Sequence, residues 1–244
     1  MTHHDNTGFL DIFSGLYRER YSFIHIGKTA GNTVKSIASD VNHNYNKKLH
    51  IYPHNCDLKN ILRFRKDRIS FILRDPAERF ISGFYSRMRN GRPLNNRLWS
   101  LKEAISYLYF PDANKLCEAL GDDDERLYSA ALYAINSIQH LKRGYSFYFQ
   151  SVDMIKKYED RFYAIVPFDK LHDYMHEIFS PLGVPQDFVE KNMQKYHAAP
   201  VETARRTAEL TQAARENLRS FLQQDYEIYE YLKLCSSRKL CELG

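Results

Sequence analysis

A lysine stands in a loop of small residues directly behind a short apolar run. Residues 21–26 are almost continuously apolar, and Gly27-Lys28-Thr29-Ala30-Gly31-Asn32-Thr33 follows. Glycines let the backbone approach a ligand closely, and successive loop N–H groups form a concavity that binds anions. The start of a following helix adds unpaired donors and partial positive charge, and Lys28 supplies a full charge. This stretch therefore predicts the binding of a phosphate or a similar anion.

A second cation follows a later apolar run. Arg74-Asp75-Pro76 comes directly after residues 68–73. Asp75 is typical of a helix N-cap, and Pro76 suits the first helical turn. Ser82 stands about two helical turns beyond Arg74. Because an arginine grips phosphate oxygens through several N–H donors, and a hydroxyl adds another, we expect a second anion site here. Two such sites fit a nucleoside that carries phosphate at both ends.

The pair Gly27-Lys28 differs from the nucleotide loop of ATPases and GTPases. That loop has a glycine five residues before the glycine of its Gly-Lys pair. Here the position is Ser22, inside the predicted strand. The sequence therefore disfavours a standard ATPase or GTPase, and a P-loop-type kinase of a small molecule stays as an alternative.

Strands and helices alternate along the chain around these loops. Strands separated by helices predict an α/β protein with a P-loop-like parallel sheet flanked by helices. The ligand then lies at the carboxyl ends of the strands. We find no linker or repeat, and we expect residues 1–244 to form a single domain with a helical C-terminal region. The predicted strands are 21–26, 68–73 and 162–166, and the predicted helices are 32–40, 56–65, 76–89, 99–109, 112–119, 125–142, 168–179, 186–194, 202–223 and 225–234. Residues 41–55 are predicted as a loop, and 145–149 as a strand or an aromatic turn.

Composition restricts the partners and the compartment. The 244 residues carry a net charge of +5, which suits anionic ligands, but no block of like charges predicts binding to nucleic acid. No apolar run approaches the roughly 20 residues that span a bilayer, and the start lacks the pattern of a signal peptide. The cysteines are widely spaced, which predicts free thiols in a reducing compartment, and we expect a cytoplasmic protein. The sequence does not indicate an oligomeric state.

Together the two motifs resemble those of the sulfotransferase superfamily. The resemblance rests on His25-Ile26-Gly27-Lys28-Thr29-Ala30-Gly31 and on Arg74-Asp75-Pro76-x-Glu78-Arg79-Phe80-x-Ser82. It is strongest toward carbohydrate sulfotransferases and their short bacterial relatives. It implies the sulfotransferase fold, the donor 3′-phosphoadenylyl sulfate (PAPS), and an acceptor hydroxyl on a small molecule or glycan, most of all a carbohydrate.

The resemblance also implies roles for residues of the two motifs. The first motif is expected to bind the 5′-phosphosulfate of PAPS through Lys28, Thr29, Ala30, Gly31, Asn32 and Thr33. The second is expected to bind its 3′-phosphate through Arg74 and Ser82. Two positions depart from the family: Gly27 stands where proline is usual, and Asn32-Thr33 stand where Thr-Ser is usual. Since glycine costs more ordering entropy than proline, we expect a looser loop that still binds.

A sulfuryl transfer needs charge stabilisation and a base for the acceptor hydroxyl. Lys28 is expected to stabilise the leaving phosphate. Histidine is the preferred base because its pKa lies near neutral pH. His54 best matches a histidine that related sequences carry before the second motif, and His50 is the second candidate. His25, within the predicted strand, is expected to be structural. The transfer needs no metal ion, and a catalytically inactive nucleotide-binding protein stays as a further alternative.

Overall fold

A parallel sheet of four strands forms the centre of the chain, in the order β2-β1-β3-β4. The structure is a computed structural model that describes residues 20–62, 66–92, 96–196 and 209–242. The strands are β1 (Tyr21–Ile24), β2 (His50–Tyr52), β3 (Arg68–Leu73) and β4 (Phe162–Pro167). This architecture confirms the predicted α/β fold with a parallel sheet.

Helices cover the sheet and form a separate region beside it. None of the helices within the described ranges has the length and apolar character that crossing a bilayer requires. The α-helices are, in chain order, α1 (Gly31–Tyr45), α2 (Leu58–Leu62), α3 (Pro76–Met88), α4 (Leu101–Tyr109), α5 (Ala113–Glu118), α6 (Glu125–Ser137), α7 (Tyr145–Phe149), α8 (Val152–Tyr158), α9 (Leu171–Tyr174), α10 (Gln186–Tyr196), α11 (Gln212–Phe221) and α12 (Gln223–Glu242).

The central strand β1 is buried on both faces. Because successive strand side chains point to opposite faces, Phe23 and Ile24 enter different cores. Phe23 packs with residues of α1, α9 and α10, and Ile24 packs with residues of α7 and α12. Both side chains are fully buried. Burial of such a side chain contributes about 1.5–3 kcal/mol, which holds the end of β1 in place.

A third core contains helices only. It joins α3 to α4, α5, α6 and α11, with Phe80 and Phe84 of α3 fully buried at its centre. The helix α3 therefore links the sheet, from which it emerges after β3, to the helical region. The predicted helical C-terminal region is present as α11 and α12, and residues 202–208 of the predicted helix 202–223 lie outside the described residues.

Three short elements differ from the predictions. The segment predicted as a loop holds the end of α1 and the edge strand β2, whose three residues are too few for a period to be read. The segment Tyr145–Phe149 is a helix rather than the predicted strand or aromatic turn, because Tyr145, Tyr148 and Phe149 share one helical face and are all buried. The predicted helix 168–179 is broken into α9 and flanking 3₁₀ turns.

Candidate active site

The loop between β1 and α1 has a left-handed backbone at two residues that carry side chains. Lys28 has φ of 69° and Ala30 has φ of 59°. This conformation costs a non-glycine residue about 1–2 kcal/mol, so the surrounding contacts must hold it. Left-handed residues of this kind occur in backbone nests, whose successive N–H groups converge on an anion.

The helix α1 begins without a side-chain cap. Its N-cap is Ala30, which offers no acceptor, and the N–H groups of Gly31 and Asn32 have no partner among the described residues. By contrast, α3, α4, α6 and α11 each begin with a capping side chain. Unpaired N–H groups and the partial positive charge of α1 therefore remain available to an anion.

Two cations meet beside this loop. The Arg74 guanidinium at the end of β3 donates a hydrogen bond from Nη1 to the Lys28 carbonyl at 3.1 Å. Burial, and then the positive charges of Arg74 and Arg89, lower the pKa of Lys28 to about 8. An anion between Lys28 and Arg74 would relieve this repulsion, so the donor set fits a ligand with more than one negative group.

The second strand end is built from side chains. Arg74 is only 4% exposed, and its guanidinium lies 4.1 Å from the centre of the Phe168 ring. Its Nε donates to Glu78 at 3.3 Å. The N-terminus of α3 is occupied by its own cap, because Asp75 Oδ1 accepts from the Glu78 N–H at 3.0 Å. Ser82 lies half-buried further along α3. Arg74 and Ser82 therefore offer side-chain donors at this end, where the Glu78 N–H is already paired.

The polar side chains of the first motif differ in burial: some are buried against the loop, and one is exposed to solvent. The Thr29 hydroxyl is fully buried and donates to the Ile26 carbonyl at 2.9 Å, so it braces the loop from inside. Thr33 is also buried, whereas Asn32 is exposed. Of these three, Asn32 alone presents its side chain to solvent, and Thr29 can reach a ligand only through its main chain.

The structure brings His54 to the same edge of the sheet. His54 follows β2, and its Nδ1 lies 2.8 Å from the His25 carbonyl oxygen. A carbonyl oxygen only accepts, so Nδ1 carries the proton and Nε2 carries the lone pair. Burial is the largest cause that lowers the pKa of His54, and the nearby Lys35 and Arg143 lower it further. His54 is therefore neutral at pH 7, in the tautomer that can accept a proton at Nε2.

His50 lies at the other end of β2. It is the first residue of the strand, paired in register with Ser22 of β1, and its ring packs against Tyr52 at 4.6 Å. Since β2 runs parallel to β1, His50 lies at the amino edge of the sheet and His54 at the carboxyl edge. The two predicted histidines are thus separated by the length of the strand.

Residues distant in sequence close the site around His54. Gly27 and His54 enclose a cavity of about 20 Å³ together with Gln139, His140, Arg143 and Tyr148. This volume suits about one water-sized group. Burial, and then the charge of Lys28, lower the pKa of His140 to about 3, and Arg143 donates to the His54 carbonyl at 3.1 Å. No sequence motif marks these contributors: Gln139, His140 and Arg143 lie between α6 and α7, and Tyr148 lies within α7.

His25 is packed against the phosphate loop. It is 3% exposed, and its ring lies 3.9 Å from that of His54. A Cβ atom added to Gly31 would lie 1.9 Å from the Cδ2 atom of His25, so the position of the histidine requires a glycine here. Burial lowers the pKa of His25 to about 2, which keeps its ring neutral. The predicted structural role of His25 fits these contacts.

A larger cavity of about 660 Å³ lies elsewhere, between α11 and α12. Three carboxylates and one arginine contribute to its wall, so its charge opposes an anionic ligand. The phosphate-type donors lie at the strand ends instead. The residues that line this cavity are Glu216, Arg219, Ser220, Gln223, Tyr226, Glu227 and Glu230.

The fold and the strand-end site define an α/β protein that gathers cations and helix donors at one edge of a parallel sheet. The model of the sulfotransferase family matches residues 6–232, and the chain belongs to that family. It is accordingly a transferase of sulfuryl groups. No curated protein and no solved structure shows significant similarity to the chain.

Proposed function

We propose that the protein transfers a sulfuryl group from PAPS to a hydroxyl of an acceptor, and that the acceptor is a carbohydrate. The observation that carries the donor assignment is the contact of Arg74 with the Lys28 carbonyl, which joins two strand-end anion sites. A donor with phosphate at both ends of its nucleoside matches two adjacent sites of this kind. The acceptor class rests on the resemblance of the two motifs to carbohydrate sulfotransferases.

The two strand ends would hold different parts of the donor. Lys28, Thr29, Ala30, Gly31, Asn32 and Thr33 would hold the 5′-phosphosulfate. They offer the open N-terminus of α1 and the loop N–H groups, with Thr29 acting through its main chain. Arg74 and Ser82 would hold the 3′-phosphate. When bound, the donor supplies the sulfuryl group and a phosphate leaving group.

Lys28 and His54 have separate chemical tasks. The Lys28 ammonium balances the negative charge that develops on the leaving phosphate. The Nε2 atom of His54 takes the proton of the acceptor hydroxyl, since Nδ1 is committed to the His25 carbonyl. His50 is the second candidate for this base, and its place at the amino end of β2 makes His54 the better candidate.

Calorimetry tests the donor assignment. We expect adenosine 3′,5′-bisphosphate, the product of PAPS, to bind, and ATP to bind more weakly because it lacks a 3′-phosphate for Arg74. Binding of ATP without binding of the bisphosphate would instead support a P-loop-type kinase and overturn the proposal.

Transfer of labelled sulfate from PAPS to a panel of glycans and small hydroxyl compounds tests the acceptor. Label in a glycan supports the carbohydrate assignment, and label only in non-sugar compounds contradicts it. Bisphosphate binding without any transfer would support an inactive nucleotide-binding protein.

A pair of histidine variants tests the base. His54→Gln should lower kcat by about 10²–10⁴-fold, the usual contribution of a general base, while bisphosphate affinity stays within about twofold. His50→Gln is the control at the other candidate histidine, at the start of β2, and should retain kcat. The reverse result would assign the base to His50.

A further inference from the structure

One short helix bonds to both anion-binding strand ends. The phenol of Tyr145 in α7 donates to the Arg74 carbonyl at 2.6 Å and accepts from the Arg74 N–H at 2.8 Å. The phenol of Tyr148, one helical turn on, accepts from the Gly27 N–H at 3.3 Å. Residues three apart lie on the same helical face, so one turn of α7 contacts both loops.

Both phenols are buried and neutral. Tyr145 is 0% exposed and Tyr148 is 1% exposed. Burial raises the pKa of both tyrosines above the usual value. In such surroundings a main-chain N–H or carbonyl left without its partner is costly, so these hydrogen bonds define where the main chain of Arg74 and of Gly27 lies.

The helix α7 also contacts α12. The Ser146 N–H donates to Asp225 of α12 at 2.8 Å. Gly144, just before α7, admits this carboxylate, because a Cβ atom there would lie 1.8 Å from Asp225 Oδ2. The position of α7 is therefore supported by α12 as well as by the two loops that it contacts.

The N–H of Gly27 gives Tyr148 a partner that a proline at position 27 would lack. A proline at this position has no N–H and could not donate to the phenol. The φ of Gly27 is not positive, and a Cβ atom there would have its nearest neighbour at 3.6 Å, so the backbone does not require glycine. Any residue except proline would supply this N–H donor to Tyr148.

We propose that Tyr145 and Tyr148 are positioning residues that set the separation between the 5′- and 3′-phosphate sites. Tyr145 fixes the main chain from which the Arg74 guanidinium extends, and Tyr148 fixes the base of the Lys28 loop. The inference rests on the proposed function, since it assumes a ligand with both phosphates. It makes α7 a determinant of preference for doubly phosphorylated nucleosides over singly phosphorylated ones.

The test compares two ligands on phenylalanine variants, which keep the ring and remove the hydroxyl. Calorimetry measures adenosine 3′,5′-bisphosphate and adenosine 5′-monophosphate, which lacks the 3′-phosphate. Tyr145→Phe should weaken the bisphosphate about tenfold and the monophosphate less than about twofold, so its preference falls. Tyr148→Phe should weaken both ligands by a similar factor of about three to ten.

Two controls separate positioning from general destabilisation. Tyr163→Phe removes the hydroxyl of a half-buried tyrosine, which donates to the Ile178 carbonyl at 3.0 Å near the amino end of β4. It should leave both affinities unchanged. In a Gly27→Pro background, which lacks the N–H, Tyr148→Phe should have no further effect on affinity.

Several outcomes would overturn the inference. They are an unchanged ligand preference in Tyr145→Phe, an equal loss of affinity in Tyr163→Phe, and a full effect of Tyr148→Phe in the Gly27→Pro background. These outcomes require that the unmodified protein binds the bisphosphate. If the unmodified protein binds neither nucleotide, the proposed function itself fails and the inference fails with it, so the two failures are distinguished.

Discussion

The two predicted anion sites, one after β1 and one after β3, offer different kinds of hydrogen-bond donor. After β1, the helix α1 begins at a residue with no capping side chain, and its first N–H groups remain open. After β3, the helix α3 begins at Asp75, whose carboxylate caps its N-terminus. The first site thus offers main-chain donors and a lysine, whereas the second offers an arginine and a serine beside a fixed negative charge.

This difference shows where each site is sensitive to substitution. Main-chain donors survive most side-chain changes, so the first site depends on loop conformation and on the charge of Lys28. At the second predicted site the Asp75 carboxylate already takes the Glu78 N–H, so we expect binding there to depend more on particular side chains. Substitutions at the two sites should therefore differ in the ligand group whose binding they weaken, as well as in the size of the effect.

Loss of the Lys28 charge should have the largest effect. Lys28→Ala should reduce sulfate transfer from PAPS by about 10³-fold or more, because the leaving phosphate loses its cation. The measurement is kcat/KM for transfer, with the exposed Lys59→Ala of α2 as a control that keeps activity. Full activity of Lys28→Ala would refute the role of Lys28.

Removal of the Arg74 guanidinium should mainly affect the second site. Arg74→Ala should weaken adenosine 3′,5′-bisphosphate by about 100-fold, the size of a lost charge-assisted hydrogen bond, and adenosine 5′-monophosphate much less. Arg68→Ala is the matched control, since Arg68 lies at the opposite end of the same strand and donates to the Asp160 carbonyl. Equal losses for both nucleotides in Arg74→Ala would remove the distinction between the two sites.

Lys28 and His54 should control the pH dependence of different quantities, namely nucleotide affinity for Lys28 and kcat for His54. In the free protein the pKa of Lys28 is lowered to about 8, so the binding-competent ammonium is lost above that pH. Bisphosphate affinity should fall by up to about tenfold per unit of pH above 8. Because the lowered pKa of His54 keeps its ring neutral, kcat should hold at pH 7 and fall only as the pH drops below 6.5. Affinity that stays flat to pH 10 would contradict the perturbation of Lys28.

Neutralisation of the Asp75 cap should strengthen the second site. Asp75→Asn keeps a good N-cap and removes a negative charge that acts on Arg74. We expect bisphosphate affinity to rise by about two- to fivefold at low salt, an effect that salt reduces. The measurement is calorimetry at two ionic strengths. A fall in affinity with unchanged stability would mean that the Asp75 charge assists binding.

Removal of the left-handed backbone strain at Ala30 should have the smallest effect. Ala30→Gly should raise the free energy of unfolding by about 0.5–1 kcal/mol, since glycine adopts a left-handed backbone without strain. Ala38→Gly, inside α1, is the matched control and should lower it by about 1 kcal/mol. Denaturant unfolding measures both variants. Destabilisation by Ala30→Gly would show that this conformation stores no strain.

Local patterns predicted the parts of the fold that are long or strongly apolar. The strands β1, β3 and β4 are apolar runs bounded by polar residues or proline, and β3 begins and ends where the sequence predicted. The strand β2 has three residues, and α7 has five, mostly aromatic. Segments this short have no period to read, and tertiary packing decides their conformation.

The residues of the candidate site also fall into two groups, those that local sequence patterns indicate and those that only tertiary packing brings to the site. The strand-end positions of Lys28 and Arg74 were predictable, because each residue stands directly behind its own apolar run. Tyr145, Tyr148 and His140 come from segments far along the chain, and only the packing of α7 and the end of α6 brings them to the loops. The tautomer of His54 depends on its distance to one carbonyl oxygen, which no sequence pattern encodes.

The contact between His25 and Gly31 has an evolutionary consequence. Any side chain at position 31 would collide with the imidazole, so neither residue can enlarge while the other stays. Descent from a common ancestor should therefore show coupled change: sequences that replace Gly31 should carry a smaller residue in place of His25. The identity of residue 31 would then be set by the side chain that directly follows β1.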